Sequence, residues 1–173
     1  MSVDEAMNAV LRSNPKARRV RPNAVNVAPG VDVIYGPVTA PANVAAGSAA
    51  APASTPQSNY CYAYYLCFWE DTISDGWGYG LAFYYCQPPG TVVDLNTYEY
   101  PSGNQVGPGP ASQRWNDRVS AYENAQSTGT TSHFYNWLGY DALVRNSTAF
   151  DGYYDLTAIG INDIIDHVFV CPQ

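Results

Sequence analysis

Asn116-Asp117-Arg118-Val119-Ser120-Ala121 and Asn162-Asp163-Ile164-Ile165-Asp166-His167 are two similar hexads whose first residues stand 46 positions apart. Each follows a stretch punctuated by glycine and rich in aromatic residues. A recurring Asn-Asp-x-x-(Ser/Asp) pattern is what an internally duplicated β-domain with two equivalent oxygen-rich loops writes into its sequence. Such loops have two physical uses. Carboxylate, hydroxyl and carbonyl oxygens gathered by a tight arch suit calcium, which takes about six to eight oxygens at roughly 2.3–2.6 Å. The same Asn, Asp and Ser side chains also close an arch by bonding its own backbone, as in Asx and Ser turns.

Short β-forming runs surround both hexads. Tyr62 to Trp69, Leu81 to Cys86, Val92 to Leu95 and Val119 to Tyr122 make one set; His133 to Trp137, Ala142 to Arg145, Tyr153 to Leu156 and Val168 to Cys171 make a second. Eight short strands in two groups, each group carrying an Asn-Asp hexad, predict two Greek keys packed as a sandwich, an all-β fold.

Composition divides the chain of 173 residues into three parts. In residues 1–35, Ser2 and Glu5 form a capping-box pattern before a short apolar helix that Asn14-Pro15 ends. Alternation through Val25, Val27, Val31, Val33 and Tyr35 about Pro29-Gly30 reads as a hairpin, completing a helix-hairpin arm. Lys16, Arg18, Arg19 and Arg21 between them read as a solvated connector, or as a docking point for an acidic surface. Residues 36–58 are dominated by Ala, Pro, Ser, Thr and Gly and carry no charge, too poor in bulky apolar groups to offset ordering entropy, and read as a linker. Residues 59–173 form the β-domain and are expected to fold alone.

Net charge is −7. It is uneven, with five Lys/Arg and three Asp/Glu before residue 59 against three and twelve from there on. So acidic a domain repels phosphates, which excludes nucleic acid as a partner. No apolar stretch approaches the roughly 18 residues of a membrane span, so no membrane insertion is expected. The start, Met1-Ser2-Val3-Asp4-Glu5, has neither the basic region nor the apolar core of a signal peptide.

Cys61, Cys67, Cys86 and Cys171 all lie in the acidic part, with no CxxC pair and no zinc spacing. They read as disulfides formed in an oxidising compartment, the alternative being four buried thiols, and three pairings are open from sequence.

Together, Cys61 to Cys67 followed by Phe68-Trp69-Glu70-Asp71, Gly80-Leu81-Ala82-Phe83-Tyr84-Tyr85-Cys86, Trp115 to Ser120, and Asn162-Asp163 before Cys171 resemble the βγ-crystallin superfamily. They are most similar to its secreted actinobacterial branch, the peptidase-inhibitor family typified by the Streptomyces metalloproteinase inhibitor. The resemblance covers residues 59–173. It implies a βγ-crystallin-like two-Greek-key sandwich, a Cys61–Cys67 loop and a Cys86–Cys171 clamp. It also implies paired calcium sites, with Asp117, Ser120, Asp163 and Asp166 as ligands and Asn116 and Asn162 shaping the arches. The first hexad departs from the family pattern at Ala121, the second at Asp166, which still offers an oxygen, and at His167, which does not suit a hard cation.

Other chemistries have weaker signatures. His133 and His167 with Ser120 and Ser132 lack a Gly-x-Ser-x-Gly elbow, and Glu70, Asp71, Glu99 and Glu123 have no readable spacing for a glycosidase pair. Trp69, Trp77, Trp115 and Trp137 suit either a core or a sugar- or peptide-binding surface. The expectation is therefore a secreted, disulfide-bonded binding protein rather than an enzyme, a peptidase inhibitor whose partner is a secreted peptidase. Its binding loop is Tyr98 to Pro110, where Tyr98, Glu99 and Tyr100 offer side chains and prolines stiffen the backbone. The alternative is a structural or assembly protein whose arm anchors the β-domain to a wall or particle, with another assembly subunit as partner and calcium as a stabiliser.

Overall fold

The computed structural model of the protein describes residues 3–35, 61–72, 78–84, 86–88, 90–98 and 114–171. The expectations placed on a linker at 36–58, on Trp77 and on the loop residues Glu99 and Tyr100 fall outside them.

Helix α1 (Val3–Ser13) places Asp4 and Glu5 in its first turn and Arg12 in its last, the signs that complement the helix dipole. Ala6, Met7 and Val10 form its buried face. The Asn14 N–H closes the last turn on the Val10 carbonyl, the Asn14 Nδ2 donates to the Val27 carbonyl at 3.1 Å, and Pro15 prevents continuation. Three antiparallel strands follow: β1 (Arg18–Arg21), β2 (Ala24–Ala28) and β3 (Val31–Tyr35), with Gly30 at φ 71° turning the β2–β3 hairpin. The basic cluster, expected as a connector, is thus partly a strand. It was invisible to pattern because an edge strand with three arginines has no apolar alternation, and charge is what an unpaired edge tolerates.

The β-domain comprises β4 (Tyr65–Trp69), β5 (Tyr79–Tyr84), β6 (Val93–Asp94), β7 (Ala121–Asn124), β8 (Thr131–Trp137), β9 (Asp141–Thr148), β10 (Gly152–Tyr153) and β11 (His167–Phe169). Two antiparallel sheets result, ordered β1-β2-β3-β5-β4-β7-β10 and β6-β11-β8-β9. Within the second sheet and the β-domain part of the first, β5-β4-β7-β10 matches β9-β8-β11-β6. Each four-strand key keeps its first, second and fourth strands in one sheet and sends its third into the other. That exchange makes the two keys inseparable. It is the two-Greek-key architecture expected from the hexads, with each predicted run found as a strand within a few residues.

Phe68, Phe83, Tyr122, Phe134, Leu95 and Val168 meet between the sheets, every one fully buried. Ring pairs there are edge-on, Tyr122 to Phe134 at 4.9 Å and Phe68 to Phe134 at 5.2 Å between centroids, a geometry each worth about 0.5–1.5 kcal/mol beyond area. The opposite side chains of the large sheet, including Ile34, Trp69 and Ala82, form a second buried cluster. Both disulfides pair as the resemblance implied, Cys61 with Cys67 and Cys86 with Cys171.

The N-terminal helix and hairpin do not stand apart from the domain. β3 pairs along its length with β5, from Val31 opposite Phe83 to Tyr35 opposite Tyr79. Ala6, Met7 and Val10 join Val25, Val33 and Leu81 in the main core. Where the second sheet stops, α1 supplies the covering layer.

Candidate functional site

Each hexad is a short arch entering the last strand of its key, the first into β7 and the second into β11. Asp117 and Asp163, second in their hexads, have left-handed φ of 55° and 54°, a region that Asp and Asn tolerate better than most residues. The fifth residues are held alike: the Ser120 carbonyl accepts from Leu156 N–H at 2.9 Å and the Asp166 carbonyl from Leu95 N–H at 2.8 Å. Leu95 and Leu156 each open a 3₁₀ turn capped by the preceding aspartate, Asp94 accepting from Asn96 N–H and Asp155 from Thr157 N–H.

Because the keys exchange strands, each arch faces the other. Asp163 N–H donates to the Val119 carbonyl at 3.1 Å, and Ser120 Oγ donates to Asp163 Oδ1 at 3.4 Å. In the equivalent pair Asp166 stands against Asp117, and Asp166 Oδ2 accepts from Trp137 N–H at 2.8 Å. The structure therefore brings all six candidate residues, Asn116, Asp117, Ser120, Asn162, Asp163 and Asp166, into two crossed sets. Tyr98 lies half-buried against Phe83 at 5.8 Å between rings, packed on the core.

The electrostatics of the two sets differ. Burial, then the charge of Asp166, pushes the Asp117 carboxyl upward, with the Asn116 amide opposing. Burial likewise pushes the Asp163 carboxyl upward, with Ser120, Arg118 and Asn162 opposing and Asp71 adding to the rise. Arg118, third in the first hexad, also acts on Glu70, which burial and Asp71 nevertheless push up to about 7 against the Tyr79 N–H bond. The third residue of the second hexad is Ile164 and brings no charge. Arg118 thus acts on the Asp163 set, whereas no cation acts on the Asp117–Asp166 set. Glu70, Asp71 and Arg118 were not singled out as arch neighbours, because only the strand exchange carries the end of β4 to the second arch.

Among the described residues no group of three or more His, Cys, Asp or Glu converges as a metal cage. The oxygen set at the arches is mixed. Asn116 and Asn162 each point a buried Oδ1 that finds no hydrogen-bond partner, while their Nδ2 groups bond Asp117 and Asp163. A buried amide oxygen left unsatisfied costs about 1–3 kcal/mol. Two such atoms at equivalent positions, beside carboxylate and hydroxyl oxygens, fit the hard-oxygen donors that calcium takes.

The remaining candidates are dispersed. His133 Nδ1 meets Asn146 Oδ1 at 2.6 Å and His167 Nδ1 meets Asp141 Oδ1 at 2.5 Å, while Ser132 Oγ donates to Gln126 Oε1. Trp69 and Trp115 are fully buried, and Trp137 is half exposed.

The exchanged third strands and facing arches define an all-β domain of two interlocked Greek keys. In comparison with solved structures, the chain is similar to one described as "Evolution of the eye lens beta-gamma-crystallin domain fold", at a TM-score of 0.42 and 15% identity, over 64% of this chain and 88% of that one. No family model matches the chain, and no curated protein matches it significantly.

Proposed function

We propose that the protein is an extracellular, non-catalytic binding protein, stapled by its two disulfides and stabilised by calcium at the facing arches. The equivalent orphaned oxygens of Asn116 and Asn162 carry this reading. Asp117 and Asp166 with Asn116 would hold an ion at one arch, Asp163 and Ser120 with Asn162 at the other. A bound ion would supply the charge that offsets the carboxylates gathered there. Because Arg118 already offsets Asp163, the crossed Asp117–Asp166 set is the stronger site and binds first.

Calorimetric titration of calcium into the chelator-treated protein tests this. One tighter site is expected, removed by Asp117→Asn, with a weaker one strengthened by Arg118→Met. Calcium at about 100 times Kd stabilises a native state by roughly 2.7 kcal/mol, a readily measured rise in Tm. Identical melting in calcium and in chelator would leave the arches as purely hydrogen-bonded structure.

The partner class that the sequence resemblance supports is a secreted peptidase, bound without turnover. A disulfide-stapled scaffold suits this, since preorganisation reduces the entropy lost on binding. Titration against thermolysin-like and subtilisin-like peptidases is the check, and absence of inhibition at micromolar protein would remove the inhibitor reading while leaving the calcium reading intact.

A further inference from the structure

Five non-glycine residues among those described have left-handed φ. Asp117 and Asp163 shape the arches, Cys171 belongs to the long disulfide, and Phe150 is partly buried with its N–H on the Asn124 carbonyl. Tyr64, at φ 72°, has no such role in the fold, and its side chain is 60% exposed. Tyr65 N–H donates to the Tyr62 carbonyl at 3.0 Å, so Tyr62 to Tyr65 is a four-residue turn with Tyr64 in third place. Where a turn needs positive φ in that place, as type II does, Gly or Asn fits with least strain. A bulky ring there is costly to the fold, and such outliers collect where a ligand or partner is met.

The turn gives that ring a fixed base. Cys61 and Cys67 close the chain around it. Tyr64 N–H donates to the Ala125 carbonyl at 2.8 Å and Ala125 N–H donates back to the Tyr65 carbonyl at 2.8 Å, which joins the turn to the end of β7. On one side Tyr62 gives its hydroxyl to Asn23 Oδ1 at 2.8 Å and lies under the Arg21 guanidinium at 3.6 Å. On the other, Tyr65 is buried and packs on Tyr84 at 4.7 Å between rings. Both neighbours are thus engaged by the fold, while no ring or hydrogen-bonding group among the described residues engages the Tyr64 side chain.

Shape and backbone decide what such a ring fits. A single ring projecting from a braced turn complements a concave pocket, and tyrosines oriented in advance are among the side chains that dominate protein contacts. A peptidase cleft is built to take one side chain at a time. Its substrates lie extended, at negative φ, whereas at φ 72° the chain reverses. The ring can therefore enter such a pocket while the peptide bonds beside it stay out of line with the catalytic group. The disulfide and the two bonds to Ala125 keep the turn from straightening.

We infer that Tyr64 is the anchor with which the protein fills the pocket of an endopeptidase that accepts aromatic side chains, presented so that it is bound and not cut. This deepens the peptidase-binding reading and rests on it. The contact moves from the expected Tyr98 to Pro110 loop, whose first ring packs on Phe83, to the turn closed by Cys61 and Cys67.

The test titrates the full-length, oxidised protein against chymotrypsin, subtilisin and thermolysin, which take aromatic or other large apolar side chains, and against trypsin, which takes basic ones. At least one of the first three should be inhibited at micromolar protein, and trypsin should not. Tyr64→Asn, which suits the left-handed φ, should weaken inhibition about tenfold or more with Tm no lower than that of the wild type. Tyr64→Phe keeps the ring and should inhibit as the wild type does, as should Tyr140→Ala, which removes a ring 64% exposed elsewhere. Mass spectrometry after prolonged incubation should find the peptide bonds on both sides of Tyr64 intact. Equal inhibition by Tyr64→Asn overturns this inference and leaves peptidase binding standing. Cleavage beside Tyr64, or inhibition of trypsin at least as strong as that of the others, does the same. No inhibition of any of the four overturns both.

Discussion

Glu70 shows how a single side chain can be held against its own ionisation. Its Oε1 accepts from Tyr79 N–H at 3.0 Å, which favours the charged form, yet burial dominates and lifts the carboxyl from 4.5 to about 7. The folded state therefore keeps this proton at pH values where the unfolded chain has lost it, so stability declines as pH rises from about 4.5 to 7. Glu70→Gln retains an oxygen for Tyr79 and removes the titration. It should flatten the stability profile across that window by up to one proton, as measured by denaturant midpoints at pH 5, 6, 7 and 8. An unchanged slope would mean that the carboxylate is solvated. Gly80 is constrained by space instead: a Cβ there would lie 2.3 Å from Ile34 Cγ1 and 3.0 Å from the Phe68 carbonyl oxygen. Ile34 is fully buried and has no room to yield, so Gly80→Ala should cost about 1–3 kcal/mol by overpacking, seen as a lowered urea midpoint.

Elements were legible in the sequence where local pattern and burial agree. β8 and β9 alternate, β4 and β5 are aromatic runs bounded by turn residues, and the Asn-Asp hexads announced both arches because an arch is made by neighbours in the chain. β1 was not legible, since its arginines follow no period and only the β2 edge makes them a strand. Which arch residues would face each other was also hidden. Ser120 meets Asp163, 43 residues on, only because the third strand of each key crosses to the other sheet, a fact of topology rather than of composition. The long disulfide spans that same crossing. Cys86 follows β5 in the first key and Cys171 follows β11 in the second, 85 residues apart, and the Cys171 region is further tied by Ser132 Oγ to its backbone N–H and by Gln126 Nε2 to its sulfur. Replacing both cysteines by alanine should cost about 2–5 kcal/mol. The corresponding change at Cys61 and Cys67, which close a six-residue separation, should cost less because loop entropy grows with loop length. Equal losses would show that local packing, not chain closure, sets the contribution.

At the scale of the molecule, the sequence suggested a β-domain at 59–173 that folds alone with an arm in front of it, whereas the structure builds one continuous sheet through both. β5 would be an outer strand of the β-domain without β3. In the full chain its edge is covered by backbone pairing from Val31 through Tyr35, and α1 lays Met7 and Val10 over the part of that sheet the second sheet does not reach. Fully burying a side chain of this size stabilises by about 1.5–3 kcal/mol, and Met7, Val25, Val31, Val33 and Ile34 are all at least 97% buried. Their joint contribution is a large share of the roughly 5–15 kcal/mol that keeps an ordinary domain folded. A chain beginning at Asn59 should accordingly lose its cooperative transition or melt far below the intact protein, and should self-associate through the exposed β5 edge. Differential scanning calorimetry of the fragment, alone and with a synthetic peptide of residues 1–35, separates the possibilities. Recovery of the transition on adding the peptide would show complementation across the β3–β5 seam. A fragment that melts within a few degrees of the intact chain would show that the helix and hairpin are accessories to a domain already complete.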